Sequence, residues 1–175
     1  SQYREVFTFP IEDYYKRVGF DFDKIPFSML AHEYMEDYQE KSYACDLHSD
    51  VLDVVNKAKN LGFSQTVLSA SKMDYLLKQM ETLHVDDLFD SIYGINDIYA
   101  KSKVELAHAF KQTCSLDDEI YFVGDSVHDY EVAKSIGAKC ILVTTGHQNR
   151  ATLESVNVPV MDSLMESLDL IYERD

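Results

Sequence analysis

Cysteine, proline and glycine are all scarce in this chain, and each shortage excludes something. Three cysteines in 175 residues, Cys45, Cys114 and Cys140, are odd in number and far apart. With no CxxC and no Cys/His pair at zinc spacing, they exclude a disulfide framework and the common zinc patterns. Three idle thiols in a reducing compartment is the reading that remains, and it predicts a cytoplasmic protein. Three prolines and six glycines exclude low-complexity sequence and long flexible linkers. No run approaches the about 18 consecutive apolar residues of a membrane span. The opening Ser1-Gln2-Tyr3-Arg4-Glu5 lacks the basic and apolar regions of a signal peptide. Basic residues are few as well: 16 Lys and Arg face 31 Asp and Glu, a net charge of −15. Nothing would offset repulsion from a nucleic-acid backbone or an anionic membrane, so neither is expected as a partner. An anionic substrate would need a metal ion or a local cluster of donors.

What is present suits one globular domain with a small appendage: 46% hydrophobic and 27% charged residues. Residues 1–45 read as helical and aromatic-rich. Phe27 to Ala44 contains no Gly or Pro, and Leu30, Tyr34, Met35 and Tyr38 fall at helical spacing. Pro10 and Pro26 sit where new helices could begin. From residue 46 to 175 the texture becomes an alternation of amphipathic helices and short apolar strands. Helices are predicted over 49–61, 73–83, 103–112, 130–136 and 161–172. Strands are predicted at 65–68, 91–93, 119–123 and 139–143, with an extended Val158-Pro159-Val160. Such alternation implies an α/β core, a parallel sheet covered on both faces. Ligands then bind beyond the carboxyl ends of the strands, which draws attention to Ser69, Asp125 and Thr144.

The sharpest signal is Gly124-Asp125-Ser126-Val127-His128-Asp129. Glycine lets the chain turn at the strand end, Asp125 projects at the mouth of the sheet, and Asp129 follows one helical turn later. Two carboxylates so placed offer the hard oxygen ligands Mg²⁺ prefers; a helix cap and a solvated carboxylate would explain them equally well. Ser69 closes a predicted strand, and its hydroxyl with the N–H groups of Ala70 and Ser71 could form an anion site. An ordinary serine cap is the plainer explanation. Lys103 at the start of a predicted helix opposes the macrodipole and needs an anion nearby, either a substrate phosphate or a surface carboxylate. Lys101 is a rival for the same role. His128 is placed away from both aspartates, and Gly146-His147 is either a site border or a plain turn. Phe7, Tyr14, Tyr15, Tyr34 and Tyr38 either line a substrate-facing surface or form a small helical core.

A hydroxyl after one strand, a lysine at a helix start and GDxxxD after the next strand, in that order, resemble three motifs of the haloacid dehalogenase-like superfamily. The likeness is to phosphatases of the phosphoglycolate phosphatase type. It covers roughly residues 47–150 and is most specific over GDSVHDYEVAKSIG, 124–137. The resemblance implies a Rossmann-like core with a small helical cap, of which 1–45 would be the remainder. It implies an Mg²⁺-dependent phosphatase acting on a small phosphorylated metabolite. Ser69, with Ala70, would hold the phosphoryl group, Lys103 would neutralise it, Asp125 would ligate Mg²⁺, and Asp129 would support the metal or its waters.

The same resemblance demands an aspartate nucleophile in a DxD motif at the end of an apolar strand, and no such strand precedes Ser69. Asp21-Phe22-Asp23 has no β-branched run leading into it and reads as a polar loop. The expectation is therefore a central strand upstream of Ser1, without which these 175 residues would not form the aspartyl-phosphate intermediate and the sheet would expose unpaired edges. The alternative is a non-catalytic relative that binds a phospho-ligand or a protein. A phospho-acceptor signalling domain fits poorly, because Asp125 comes after the hydroxyl and the lysine.

Overall fold

A computed structural model of the protein describes residues 2–7, 11–95 and 102–173. The aromatic-rich N-terminal part is helical, as its texture predicts: α1 (Gln2–Val6), α2 (Ile11–Arg17) and α3 (Phe27–Ser42). Pro26 precedes the first residue of α3, and Pro10 lies outside the described residues. Its rings pack on one another, Tyr15 edge-on to Phe20 and Phe27 with centroids 5.1 and 5.8 Å apart. Tyr34 and Tyr38 stack on α3 at 5.7 Å.

The remainder alternates helix and strand: α4 (Val51–Asn60), β1 (Thr66–Lys72), α5 (Met73–Thr82), β2 (Ser91–Ile95), α6 (Lys103–Lys111), β3 (Tyr121–Gly124), α7 (Val127–Ser135), β4 (Lys139–Val143), α8 (Arg150–Glu154), β5 (Val160–Met161) and α9 (Leu164–Tyr172). All strand pairs are parallel. They form two pieces, β1–β2 and β3–β4–β5, with β4 central in the second. Ile141 and Leu142 of β4 are buried, which is why this strand reads as an unbroken apolar run. Both faces are covered, because Val67 packs under α5 while its neighbour Leu68 packs under α6 and α7.

β1 and β3 each keep one edge without a strand partner among the described residues. Leu68 of β1 and Phe122 of β3 nevertheless meet under the same helices, packed with Ala107, Val132 and Ile136. A second tie links α4 to α9: Lys57 bonds Asp169 at 2.6 Å, and Asp50 accepts the N–H groups of Leu164 and Met165 at 2.9 and 3.3 Å. The two half-sheets are thus held together by helices, and no strand joins β1 to β3 among the described residues.

Four local differences from the sequence reading have physical causes. β1 does not end at Ser69 but continues through Ser71 to Lys72. Leu68 pairs with Tyr93 and Lys72 with Ile95, so four steps on β1 match two on β2 and residues 69–71 bulge off the ladder. The α7 helix starts at Val127, not Tyr130, because Ser126 caps it. The last helix starts at Leu164, not 161, because Val160 and Met161 pair with Leu142 and Val143. Finally, α8 is a short helix that the sequence reading leaves as loop, begun by Asn149, whose side chain accepts the Thr152 N–H. Its Leu153 is fully buried beside Leu142, and burial of that side chain contributes about 1.5–3 kcal/mol. Among the described residues, no helix is long and apolar enough to cross a membrane. Cys45, Cys114 and Cys140 are all free; burial pushes the Cys140 thiol up to about 12, helped by nearby Asp129, so it is inert.

Candidate active site

Parallel pairing puts the carboxyl ends of β3 and β4 side by side, so the Gly124–Asp129 turn faces the Thr144–Asn149 loop. Gly124 is obligatory there, since a methyl group on it would overlap the side chain of Asp129. Ser126 and Asp129 then form a reciprocal cap: Asp129 N–H donates to Ser126 Oγ at 3.2 Å, and Ser126 N–H donates to Asp129 Oδ2 at 3.1 Å. Asp129 Oδ2 also accepts from Asp125 N–H at 3.0 Å and from Ser126 Oγ at 2.8 Å. Its other oxygen, Oδ1, receives Lys103 Nζ at 2.5 Å. Asp129 is 2% exposed, neither a solvated carboxylate nor one with a vacant oxygen. Burial pushes its pKa up, but the Lys103 charge and the hydrogen bonds outweigh that, and the group sits below its ordinary value.

Lys103 therefore finds its compensating anion inside the protein. It starts α6, reaches α7, and passes over the Phe122 ring with 5.5 Å to the centroid. The rival Lys101 lies outside the described residues.

Asp125 is held differently. Its Oδ2 accepts the His147 N–H at 2.8 Å, and its carboxylate lies so close to Gly146 that any side chain there would overlap it. Oδ1 carries no hydrogen bond among the described residues. A carboxylate fixed through one oxygen, with the other open at the strand end, suits one corner of a hard cation's octahedron. Among the described residues no group of three or more His, Cys, Asp or Glu forms a ready-made metal site. Asp125 thus fits as a ligand, whereas Asp129 fits as the residue that orients Lys103 and the Asp125–Ser126 backbone.

Ser69 stands on the other half-sheet. Its Oγ accepts the Ser71 N–H at 3.1 Å, and no hydrogen bond connects it with Lys103, Asp125 or Asp129 among the described residues. Ala70 is exposed in the bulge. The structure thus brings Lys103, Asp125 and Asp129 into one network and leaves Ser69 and Ala70 apart from it. His128 turns outward toward Glu131, 3.4 Å away. Asp21 and Asp23 lie in an exposed turn in which Asp23 N–H bonds Asp21 Oδ1 at 3.1 Å, a polar loop as expected.

The residues from 1 to 143 match the family model for haloacid dehalogenase-like hydrolases. This chain belongs to that family. The hydrolase also shares its fold with solved structures. One is a haloacid dehalogenase-like family hydrolase from Streptococcus pneumoniae, 20% identical with a TM-score of 0.81, covering 96% of this chain and 79% of that one. A predicted phosphatase from Clostridium acetobutylicum is 20% identical with a TM-score of 0.77, covering 93% and 76%. A predicted phosphoglycolate phosphatase from Haemophilus somnus is 16% identical with a TM-score of 0.68, covering 91% and 76%. No curated protein matches the chain.

Three contributors to the site of this hydrolase escaped the sequence reading. Ser126 was legible in principle, because Ser126-x-x-Asp129 has capping-box spacing. Buried Gln148, whose Oε1 accepts the Val127 N–H at 2.7 Å, carried no local signal. Neither did Tyr3, whose hydroxyl bonds His147 Nδ1 at 2.9 Å. Burial first, then Tyr14, Tyr34 and Asp125, pushes the Tyr3 hydroxyl up to about 12, which keeps it neutral.

Proposed function

We propose that this hydrolase is an Mg²⁺-dependent phosphatase that cleaves phosphomonoesters of a small metabolite in the cytoplasm. The observation that carries the reading is Asp125 at the end of β3, anchored through one oxygen and open at the other, beside the buried Lys103–Asp129 pair. Phosphoryl transfer is mainly positioning and charge stabilisation, and these residues have the chemistry for it. Asp125 would hold Mg²⁺, which supplies charge neutralisation to the phosphate oxygens. Lys103, aimed by Asp129, keeps further N–H donors for a phosphate oxygen. Ser69 and the Ala70 N–H would cradle the phosphoryl group once the bulge is drawn toward the other half-sheet. Residues 1–45 would act as the cap over a core of residues 46–175.

Hydrolysis through a phospho-enzyme also needs a carboxylate nucleophile. Asp21 and Asp23 are poorly placed for it, in an exposed turn with Asp21 paired to Lys24 at 3.2 Å. The edges of β1 and β3 that have no strand partner among the described residues, under shared helices, are where a parallel strand would deliver one. That turn also favours a second reading, a relative that binds a phospho-ligand without cleaving it.

Phosphate release from a panel of small phosphomonoesters, measured with the natural protein and Mg²⁺, separates the two readings. The phosphatase predicts turnover that disappears in Asp125→Asn and on removal of the metal by a chelator. Binding without turnover supports the second reading, and turnover that survives Asp125→Asn overturns the metal assignment.

A further inference from the structure

The chemistry proposed above makes no use of α1, yet α1 is tied to the loop that holds Asp125. Arg4 donates to the carbonyl oxygens of Thr144 and Thr145 at 3.1 and 3.4 Å, and its own carbonyl accepts from Asn149 Nδ2 at 3.2 Å. Tyr3 bonds His147 Nδ1, and Phe7 stacks on the His147 ring with centroids 5.0 Å apart and planes 25° apart. On their far side Tyr3 and Phe7 pack against Tyr14 of α2, at 5.9 and 5.5 Å. His147 therefore has two attachments: its ring is gripped by the N-terminal helices, and its N–H grips Asp125 Oδ2. Gly146 beside it, having no side chain, leaves the space that the Asp125 carboxylate occupies.

We infer that His147 is a positioning residue through which docking of α1 sets the orientation of Asp125 for Mg²⁺. The inference rests on the reading of Asp125 as the metal's ligand. A ring fixed on one side and a peptide N–H on the other make the loop a rigid lever. When Tyr3 and Phe7 release the ring, the N–H loses its aim and Asp125 regains rotamer freedom. Binding free energies are reciprocal, so docked α1 strengthens Mg²⁺ binding by the same factor by which Mg²⁺ strengthens docking. The helical segment thereby reports to the metal site before any substrate arrives.

The test uses three readouts on the natural protein. Mg²⁺ affinity is measured by calorimetry, and exchange of the His147 amide by hydrogen exchange. Tyrosine emission follows docking, which is practical because the chain has twelve Tyr and no Trp. Phe7→Ala and Tyr3→Phe are expected to speed His147 amide exchange and to weaken Mg²⁺ binding by about tenfold together. Mg²⁺ should change tyrosine emission in the unaltered protein and lose that effect in Phe7→Ala. His147→Phe, which keeps the ring contact, should retain more affinity than His147→Ala; a merely structural role would not order the variants this way. Variants with unchanged Mg²⁺ affinity but faster His147 exchange overturn the coupling. Mg²⁺ binding that is insensitive to Asp125→Asn overturns instead the reading on which it rests, and the two failures are told apart by that variant alone.

Discussion

Lys103 and Asp129 meet across the boundary between α6 and α7, with 2.5 Å between Nζ and Oδ1 and little solvent around either. Each residue answers the other's problem. A lysine at a helix start opposes the dipole, and a carboxylate that is 2% exposed needs a counter-charge. The pair also fastens α6, which packs on β1 and β2, to α7, which packs on β3 and β4, and so helps to hold the half-sheets together.

Removing one member should therefore cost more than an ordinary surface change. Lys103→Met leaves a buried carboxylate without its partner, a loss of about 3–5 kcal/mol. Urea denaturation of Lys103→Met, Asp129→Asn and the double variant checks this. The double variant is expected to lose less than the sum of the single losses, because the orphaned charge is gone.

Acid should remove the same stability. The folded pKa of Asp129 lies below its ordinary value of 3.8. Its stabilising effect is thus complete above that value and fades as pH falls through the lower, folded one. Asn at position 129 cannot ionise, so the stability gap between the protein and Asp129→Asn should narrow only below about pH 3.8. Denaturation midpoints measured from neutral pH downward give the curve, and a gap that narrows near neutrality contradicts the assignment.

Gly146 should tolerate no side chain. A methyl group there overlaps Asp125 Oδ2, so Gly146→Ala must push either the loop or the carboxylate aside, at about 1–3 kcal/mol. Mg²⁺ binding should weaken in this variant while the circular dichroism spectrum is kept. Calorimetry showing full Mg²⁺ affinity in a folded Gly146→Ala protein would contradict the close packing of Gly146 on Asp125.

Much of this was legible in the sequence for a plain reason: apolar runs and their punctuation are local. Cys140 to Val143 announces a buried strand, and GDxxxD announces a carboxylate at the end of the strand before it. Even the earlier start of α7 was written in Ser126-x-x-Asp129. The bulge that carries Ser69 past the expected strand end was not, because it depends on how Lys72 pairs with Ile95 on another strand.

The sequence alone determined the parallel α/β plan, the order of hydroxyl, lysine and paired aspartates, and the exposed nature of Asp21 and Asp23. Those follow from periodicity, turn chemistry and residue type within a few positions. Only the tertiary structure decided that Lys103 pairs with Asp129, that Asp129 is buried while Asp125 Oδ1 carries no hydrogen bond among the described residues, and that Tyr3 and Phe7 grip His147. Such contacts join residues up to 144 positions apart, and no local pattern encodes them, because they arise when packing brings distant surfaces within hydrogen-bond reach.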